Sequence, residues 1–314
     1  MITRAIAKRL FGAILAIIGA VTLVFLALRV TPGDPADNIL GDEAPESAKR
    51  AFRERLHLDE SLGTQYVHLW RSIGDGSLGT SYGVGDRDQT VAEVIGQVLP
   101  ATIELALAAM VVAMLIAFPL GLAAAVNQGR FIDHVSMIGA LMGVAMPVFW
   151  SGPMLLFLLT VHLQVLPDPA APLRGPLPLL LPALVLGGAL AAKLTRMVRA
   201  SVLDVMREDY TITARAKGLS EWTVMTRHVL RNALIPVLTV MGLQLAALLS
   251  GAIVTEKVFA RPGVGTLLLE AITKRDYAVI QGCVLVVTLA YVFVNLVVDL
   301  LYMIVDPRVR EQST

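Results

Sequence analysis

Residues 98–126 read VLPATIELALAAMVVAMLIAFPLGLAAAV, an apolar run in which Glu104 is the only charged residue. A helix of about 20 apolar residues crosses the hydrocarbon core of a bilayer, because lipid offers no partners to unpaired backbone groups. The run therefore predicts a transmembrane helix. The composition agrees: only 16% of the 314 residues are charged, against about 25% in soluble domains, and the mean hydropathy is +0.70.

Five further segments have the same character, so the sequence predicts an all-α polytopic membrane protein with six transmembrane helices. These segments are 10–28, 135–161, 177–192, 233–255 and 278–298. The first segment follows basic residues, as a signal peptide does. It is nevertheless predicted to be retained, because its apolar run is long and no small-residue cleavage site follows it.

The basic residues indicate an orientation in which both termini are cytoplasmic. Positively charged short loops stay inside, and 193–232 alone contains eight Lys and Arg residues. The chain is predicted to consist of a transmembrane helix at 1–30, an extracytoplasmic segment at 31–97, a five-helix core at 98–305 that includes a cytoplasmic loop at 200–232, and a cytoplasmic tail at 306–314. The net charge of +1 gives no indication of a nucleic-acid partner, and none is expected.

The extracytoplasmic segment 31–97 is predicted to be a small helical cap. Residues 47–56 carry helical charge pairs, and 65–73 place Tyr66 and Trp70 on one apolar face together with Leu69 and Ile73.

The most informative polar stretch is 209–236, DYTITARAKGLSEWTVMTRHVLRNALIP. Residues 208–216 favour a helix, which Gly218 can end through a positive φ. Ser220, followed by Glu221, can start a second helix. The pattern predicts a two-helix elbow suited to docking a partner. The alternative interpretation is an ordinary basic loop held inside by its charge.

Several motifs in and around this stretch resemble those of one family. In the elbow they are Thr213-Ala-Arg-Ala-Lys-Gly218, Arg227-His228, Arg231-Asn-Ala233 and Ile235-Pro236. Elsewhere they are Thr31-Pro-Gly-Asp-Pro35, Leu56-His-Leu-Asp59, Gly79-Thr-Ser-Tyr82, Leu99-Pro-Ala-Thr-Ile-Glu-Leu105, Pro147-Val-Phe-Trp150, Glu256-Lys-Val-Phe259, Pro262-Gly-Val-Gly265, Arg275-Asp-Tyr277 and Asp306-Pro-Arg308. In order and spacing they resemble the permeases of ABC importers, in the oligopeptide/dipeptide/nickel branch that depends on a binding protein.

The resemblance implies a permease that moves di- or oligopeptides across the inner membrane, with nickel or a metal chelate, or glutathione, as alternative substrates. It implies a homologous second permease, one or two cytoplasmic ATPase subunits and an extracytoplasmic solute-binding protein as partners, beside membrane lipid. By this likeness the elbow couples to the ATPase through Thr213, Ala214, Arg215, Ala216, Lys217, Gly218, Leu219, Arg227, His228, Arg231 and Asn232.

The resemblance leaves ATP and Mg²⁺ to the partner ATPases. The chain has no Gly-x-x-x-x-Gly-Lys-Ser/Thr loop, so we expect no cofactor in it and no enzymatic activity. The chain departs from the family pattern in two places. Thr213-Ala214-Arg215 replaces the wider Glu-Ala-Ala, which favours the peptide-type branch. Ala278 stands where that branch often has proline, which leaves the local turn open.

Three residues are candidates for the transport pathway or its gate: Glu104, Pro147 and Trp150. Glu104 is an intramembrane carboxylate and therefore a functional candidate, although pairing with a basic group such as Arg29 is the alternative. Pro147 is predicted to kink the third span together with Pro153. No metal site is expected, since His134, His162 and His228 show no ligand spacing with Cys or acidic residues.

Two other classes of function compete with the importer. Gly79-Thr-Ser81-Tyr-Gly83 matches the Gly-x-Ser-x-Gly motif of serine hydrolases, but no strand pattern precedes it, and His57 and His68 are in stretches predicted to be helical. A secondary transporter would need no elbow, and the six spans show no internal repeat.

Overall fold

The computed structural model describes residues 2–41, 43–85, 89–169 and 177–305. Within these ranges the regular secondary structure is helical, and the one β contact is an isolated bridge between Thr80 and Thr90. The helices are α1 Ile2–Val30, α2 Pro35–Leu40, α3 Glu46–Arg55, α4 Leu62–Gly74, α5 Val91–Val126, α6 Phe131–Ala145, α7 Val148–Leu156, α8 Leu177–Met206, α9 Asp209–Ala216, α10 Glu221–Thr223, α11 Arg231–Val258, α12 Val264–Lys274 and α13 Tyr277–Val305.

The all-α polytopic membrane class is confirmed. Five helical segments are long and apolar enough to cross a membrane: Arg9–Val30, Val91–Val126, Leu177–Met206, Glu221–Leu248 and Tyr277–Val298. Each begins before or ends after its predicted span, because helical hydrogen bonding continues into polar sequence, whereas apolar runs mark only the part that suits lipid. The predicted tail at 306–314 lies outside the described residues.

The third predicted span differs from a single helix. Helices α6 and α7, the latter continued by π-helical turns over Phe157–His162, form a pair bent by 101°. The chain is extended at Met146 and Pro147, because proline disfavours helical geometry in the residue before it and has no N–H to donate. Pro153 lies inside α7. Counted as one broken span, the pair brings the total to six.

A first compact unit is built mainly of Ile103–Arg261. Helix α8 is its most buried element and packs against α6 and α11. Small residues allow close approach: a Cβ at Gly187 would meet the Ala109 carbonyl oxygen at 2.5 Å. An ion pair fixes α6 to α8, in which Arg199 Nε and Nη2 donate to the two oxygens of the buried Asp133 at 2.6 and 2.7 Å.

A second compact unit consists of Ile6–Thr102 and Pro262–Ala290. The predicted helices at 47–56 and 65–73 are confirmed as α3 and α4. The apolar face of α4 meets α1, where Tyr66 packs edge-on against Phe25 and its hydroxyl lies 2.7 Å from Thr22 Oγ1.

A buried carboxylate fastens the loop at 81–85 to the start of α13. Asp276 Oδ2 accepts hydrogen bonds from Ser81 Oγ (2.9 Å) and from the amides of Tyr82 (2.9 Å) and Gly83 (2.8 Å), and Oδ1 accepts from the Val279 amide (3.2 Å). Burial, and then the Asp276 charge, raise the pKa of the Tyr82 hydroxyl, which donates to the Arg275 carbonyl. We call these contacts the Asp276 junction.

The Asp276 junction also shows whether the Gly-x-Ser-x-Gly motif supplies a hydrolase nucleophile. Ser81 is buried, and its hydroxyl is hydrogen-bonded to the Val84 carbonyl and to Asp276. A hydrolase would need this hydroxyl facing a histidine base. His68 is in α4, as predicted, but the prediction that His57 is helical is wrong, since His57 follows α3 in a turn at a φ of +57°. Ser81 is therefore a turn residue held by an aspartate.

Candidate functional site

The elbow at 209–232 turns at Gly218, directly after α9. Gly218 has a φ of +77°, which glycine adopts without steric cost. Its amide donates to the Arg215 carbonyl (2.9 Å), and the Leu219 amide donates to the Ala214 carbonyl (3.4 Å). This pair of bonds forms a Schellman motif, which satisfies carbonyls left free at a helix end. The prediction that Gly218 ends the helix is confirmed.

A second helical segment starts at Ser220, as predicted. Ser220 Oγ accepts a hydrogen bond from the Thr223 amide at 3.3 Å and so caps the segment. Helix α10 is only one turn long, and the chain continues in π-helical turns over Val224–Leu230 until α11 begins. The segment is thus wider than a regular α-helix, a deviation that is frequent at functional sites.

The inner side of the elbow is apolar and well packed. Val224 and Val229 are fully buried, and burying one such side chain contributes about 1.5–3 kcal/mol. The cluster around them joins α5, α8, α9 and α11, and its buried members are Ala125, Val198, Val202, Leu203, Ala214, Val224, Val229, Ala233 and Val237. This packing makes the elbow a fixed extension of the helical core.

Polar contacts hold the two arms of the elbow together. Arg215 Nε and Nη2 donate to the two carboxylate oxygens of Glu221 at 2.9 and 3.4 Å. Asn232 Nδ2 donates to the Tyr210 hydroxyl (3.1 Å) and to the His228 carbonyl (2.9 Å). The arms are therefore tied together across the turn and again at the start of α11.

Large apolar side chains on the outer side of the elbow are exposed. Trp222 is 78% exposed and Ile212 53% exposed, and Tyr210 and Leu219 are also exposed. We call these four residues the outer face. Exposed apolar groups beside polar ones mark interaction surfaces, and tryptophan and tyrosine dominate interface hot spots. The outer face is therefore suited to binding a protein partner.

The structure sorts the residues predicted to couple to a partner. Ala214 is buried and packs in the apolar cluster beneath the elbow. Arg215 and His228 are partly buried. The remaining predicted residues are exposed: Thr213, Ala216, Lys217, Gly218, Leu219, Arg227, Arg231 and Asn232. Tyr210, Ile212 and Trp222 of the outer face were not among the predicted residues, although helical spacing from the inward-facing Ala214 could have indicated Ile212.

The three pathway candidates have different surroundings. Glu104 Oε2 lies 3.3 Å from Arg261 Nη2, so the suggested partner Arg29 is wrong. Arg29 instead donates to Gln65 Oε1 and lies over the Phe25 ring. Pro147 sits at the break before α7, and Trp150 is half-exposed one turn later. The structure records no hydrogen bond or ion pair between Glu104 and the other two among the described residues.

Two family models together match nearly the whole chain. The model described as "Binding-protein-dependent transport system inner membrane component" matches residues 117–311. The model described as "Binding-prot-dependent transport system membrane comp, N-term" matches residues 1–106.

Curated relatives are similar over nearly the same extent. The glutathione transport system permease protein GsiC of Salmonella choleraesuis is 42% identical, and the alignment covers 96% of this chain and 97% of that protein. The dipeptide transport system permease protein DppB of Escherichia coli K12 is 39% identical, with 98% and 99% covered. A solved structure titled "Crystal structure of an amino acid ABC transporter with histidines" matches at 14% identity and a TM-score of 0.49, covering 69% of this chain and 94% of that one.

Proposed function

Because the chain belongs to the family of binding-protein-dependent transport system inner membrane components, we propose that it is the permease subunit of an ATP-driven importer for short peptides. The observation that carries the proposal is end-to-end similarity to a dipeptide permease and a glutathione permease. Glutathione is itself a tripeptide, so one chemistry, a small zwitterion with free carboxylates, covers both relatives. The nickel alternative has no such support.

The proposal assigns the outer face of the elbow to a cytoplasmic ATPase. Its apolar side chains supply the buried centre of an interface, and the exposed Lys217, Arg227 and Arg231 supply a charged rim. The rigid packing of Val224 and Val229 underneath lets movement of the ATPase reach α8 and α11 without being absorbed in a soft loop. The termini are cytoplasmic in this arrangement, and a solute-binding protein delivers the peptide from the other side.

Transport follows from a shift between two states. The ATPase pair grips the elbows differently with and without ATP, and the helices packed on each elbow follow that change. The permease thus needs no nucleotide site of its own. A second permease completes the pathway, and the bent pair α6–α7 with Pro147 and Trp150 is a candidate for its lining.

The first test reconstitutes the chain with its partners. We expect tagged protein, purified from membranes, to carry a second permease and at least one ATPase that mass spectrometry identifies. Proteoliposomes containing the complex and its binding protein should accumulate labelled dipeptide only with ATP. Competition by unlabelled glutathione then separates a glutathione importer from a dipeptide importer. Uptake by the purified chain alone would contradict the proposal.

The second test separates coupling from folding. Gly218→Val forces a β-branched residue to a positive φ and should uncouple ATP hydrolysis from uptake while the protein still inserts. Gly76→Val is the matched control, because Gly76 also has a positive φ and an added Cβ at either position has no neighbour within 4 Å. Equal transport by both variants would remove the coupling role from the elbow.

A further inference from the structure

Two histidines and a glutamate meet in the second unit, between the end of α3 and the middle of α4. A nitrogen of His57, a nitrogen of His68 and a carboxylate oxygen of Glu60 all lie within 4.8 Å of one another. Ligands bound to one ion at about 2.0–2.2 Å are at most about 4.4 Å apart. Small side-chain rotations that move the donor atoms by a few tenths of an ångström would therefore allow all three to bind a single metal ion.

The glutamate faces both imidazoles at once. Its Oε1 lies 2.6 Å from His57 Nδ1 and its Oε2 lies 3.3 Å from His68 Nε2. The second contact lacks hydrogen-bond geometry, and among the described residues Glu60 Oε2 is a buried oxygen without a hydrogen-bond partner. The two rings stack, with centroids 4.5 Å apart and planes 16° apart. An ion bound to this oxygen and both rings would satisfy the orphaned acceptor.

The turn that carries His57 and Glu60 is fixed to α4 by hydrogen bonds within the protein. Gln65 Nε2, from α4, donates to the carbonyls of Leu58 (3.0 Å) and Glu60 (2.9 Å), which pins the turn to the helix. His57 sits at a φ of +57°, a conformation that glycine adopts freely and other residues adopt at some cost. The structure thus keeps an imidazole where glycine would be less strained.

The site is open to solvent on one side. The side chains of His57, Glu60 and His68 are 49%, 36% and 38% exposed, so a hydrated ion can reach the two imidazoles. The same small side-chain rotation that closes the ligand distances brings the buried Glu60 Oε2 to the ion. Both histidines line a cavity of about 540 Å³, which leaves room for water or an anion at the remaining coordination positions. Arg29, Arg55 and Arg71 line the same cavity. They disfavour a bare cation, and the Glu60 charge and anions at the open positions offset this.

We propose that His57, Glu60 and His68 bind one divalent transition-metal ion of the zinc or nickel class. Imidazole nitrogen with one carboxylate suits these borderline ions, whereas Mg²⁺ and Ca²⁺ prefer oxygen ligands alone. The ion cross-links the turn after α3 to α4. The inference does not depend on the proposed function, because the three donors come from the second unit alone.

The test is a calorimetric titration, in which the heat of binding is measured as ZnCl₂ or NiCl₂ is added to the full chain in nanodiscs. The protein is chelator-treated and carries no polyhistidine tag. We expect one saturable zinc site per chain, no binding of MgCl₂, and a higher unfolding temperature with zinc. Absence of saturable binding of zinc and nickel by the unmodified protein would overturn the proposal.

Three variants locate the site. His57→Gly removes the imidazole while suiting the backbone, so the metal-free variant should be at least as stable as the parent. It should lose zinc affinity by more than about 10-fold, as even residues behind a ligand often cost that much. His68→Ala and Glu60→Gln should also lose affinity, and His134→Ala, far along the sequence, should bind like the parent. Unchanged affinity in either His57→Gly or His68→Ala would overturn the assignment.

Discussion

The elbow and the Asp276 junction both fix a turn against a long helix, but they bury opposite kinds of group. The elbow buries valines and leaves its polar ties, such as Arg215–Glu221, exposed. The junction buries a carboxylate and surrounds it with donors from the loop at 81–85 and from the first turn of α13. The junction uses its polar groups internally, whereas the elbow keeps an apolar outer face that nothing within the described chain covers. The difference separates a structural fastening at the junction from the docking surface that we propose for the elbow.

The largest effect, on the free energy of unfolding, should come from removing the Asp276 carboxylate. Asp276→Ala removes the acceptor of the Tyr82 and Gly83 amides, while the Ser81 hydroxyl keeps the Val84 carbonyl. Each buried unpaired group costs about 1–3 kcal/mol. We expect a loss of roughly 3–5 kcal/mol in the free energy of unfolding, measured by denaturant titration in detergent. Glu270→Ala, which breaks only the exposed pair with Lys274, should cost under about 0.5 kcal/mol. Equal losses would contradict the fastening role.

The next effect tests the outer face through Trp222. Trp222→Ala should weaken binding of the partner ATPase about 30-fold, the equivalent of about 2 kcal/mol for a hot-spot residue. Unfolding should be unchanged, because the side chain is 78% exposed. The matched control is Phe131→Ala, an aromatic side chain exposed to 81% outside the elbow. If the two variants bind the ATPase alike, the outer face is not the docking surface.

A smaller effect tests the turn itself. Gly218→Ala should cost about 1–2 kcal/mol, since a left-handed conformation is strained for a residue with a Cβ. Gly218→Asn should cost less, because asparagine tolerates this conformation better. Unfolding free energies of the two variants provide the comparison. Alanine proving no worse than asparagine would show that the left-handed turn does not limit stability.

The smallest effect concerns the tie between the two arms. Arg215→Ala removes an exposed ion pair with Glu221, so we expect a loss of at most about 1 kcal/mol that shrinks further in high salt. Unfolding measured at low and high salt provides the test. A larger, salt-independent loss would mean that this pair carries part of the rigidity assigned to Val224 and Val229.

The fold could be predicted largely from local signals. Apolar runs identified the membrane-spanning helices, and the order Gly218, Ser220 placed the elbow turn correctly, because both signals depend on neighbours in sequence. The sharp break at Pro147 was predicted only as a kink. The angle of 101° was not predictable, because α6 and α7 both pack against α8, a helix that begins only after both of them in the chain.

Long-range contacts were beyond sequence reasoning. Asp276 stood within a recognised motif, but its acceptor role requires Ser81, almost 200 residues earlier in the chain. Glu104 was expected to pair, yet its partner is Arg261 rather than Arg29. Trp222 was missed because a tryptophan beside a membrane-spanning helix is as readily buried as exposed. Which of the predicted elbow residues touch a partner stays a prediction.

The most direct test of the docking claim is a cross-link from the elbow. Cys283 is the only cysteine and is buried, so Leu219→Cys introduces a single accessible thiol on the outer face. Gly76→Cys provides the control in the second unit. With a reagent that carries a maleimide for the introduced thiol and a benzophenone that inserts into nearby C–H bonds on illumination, we predict a product joining the permease to its ATPase from Leu219→Cys and none from Gly76→Cys. A complex that transports peptide with ATP but gives no product from Leu219→Cys would contradict docking at the elbow.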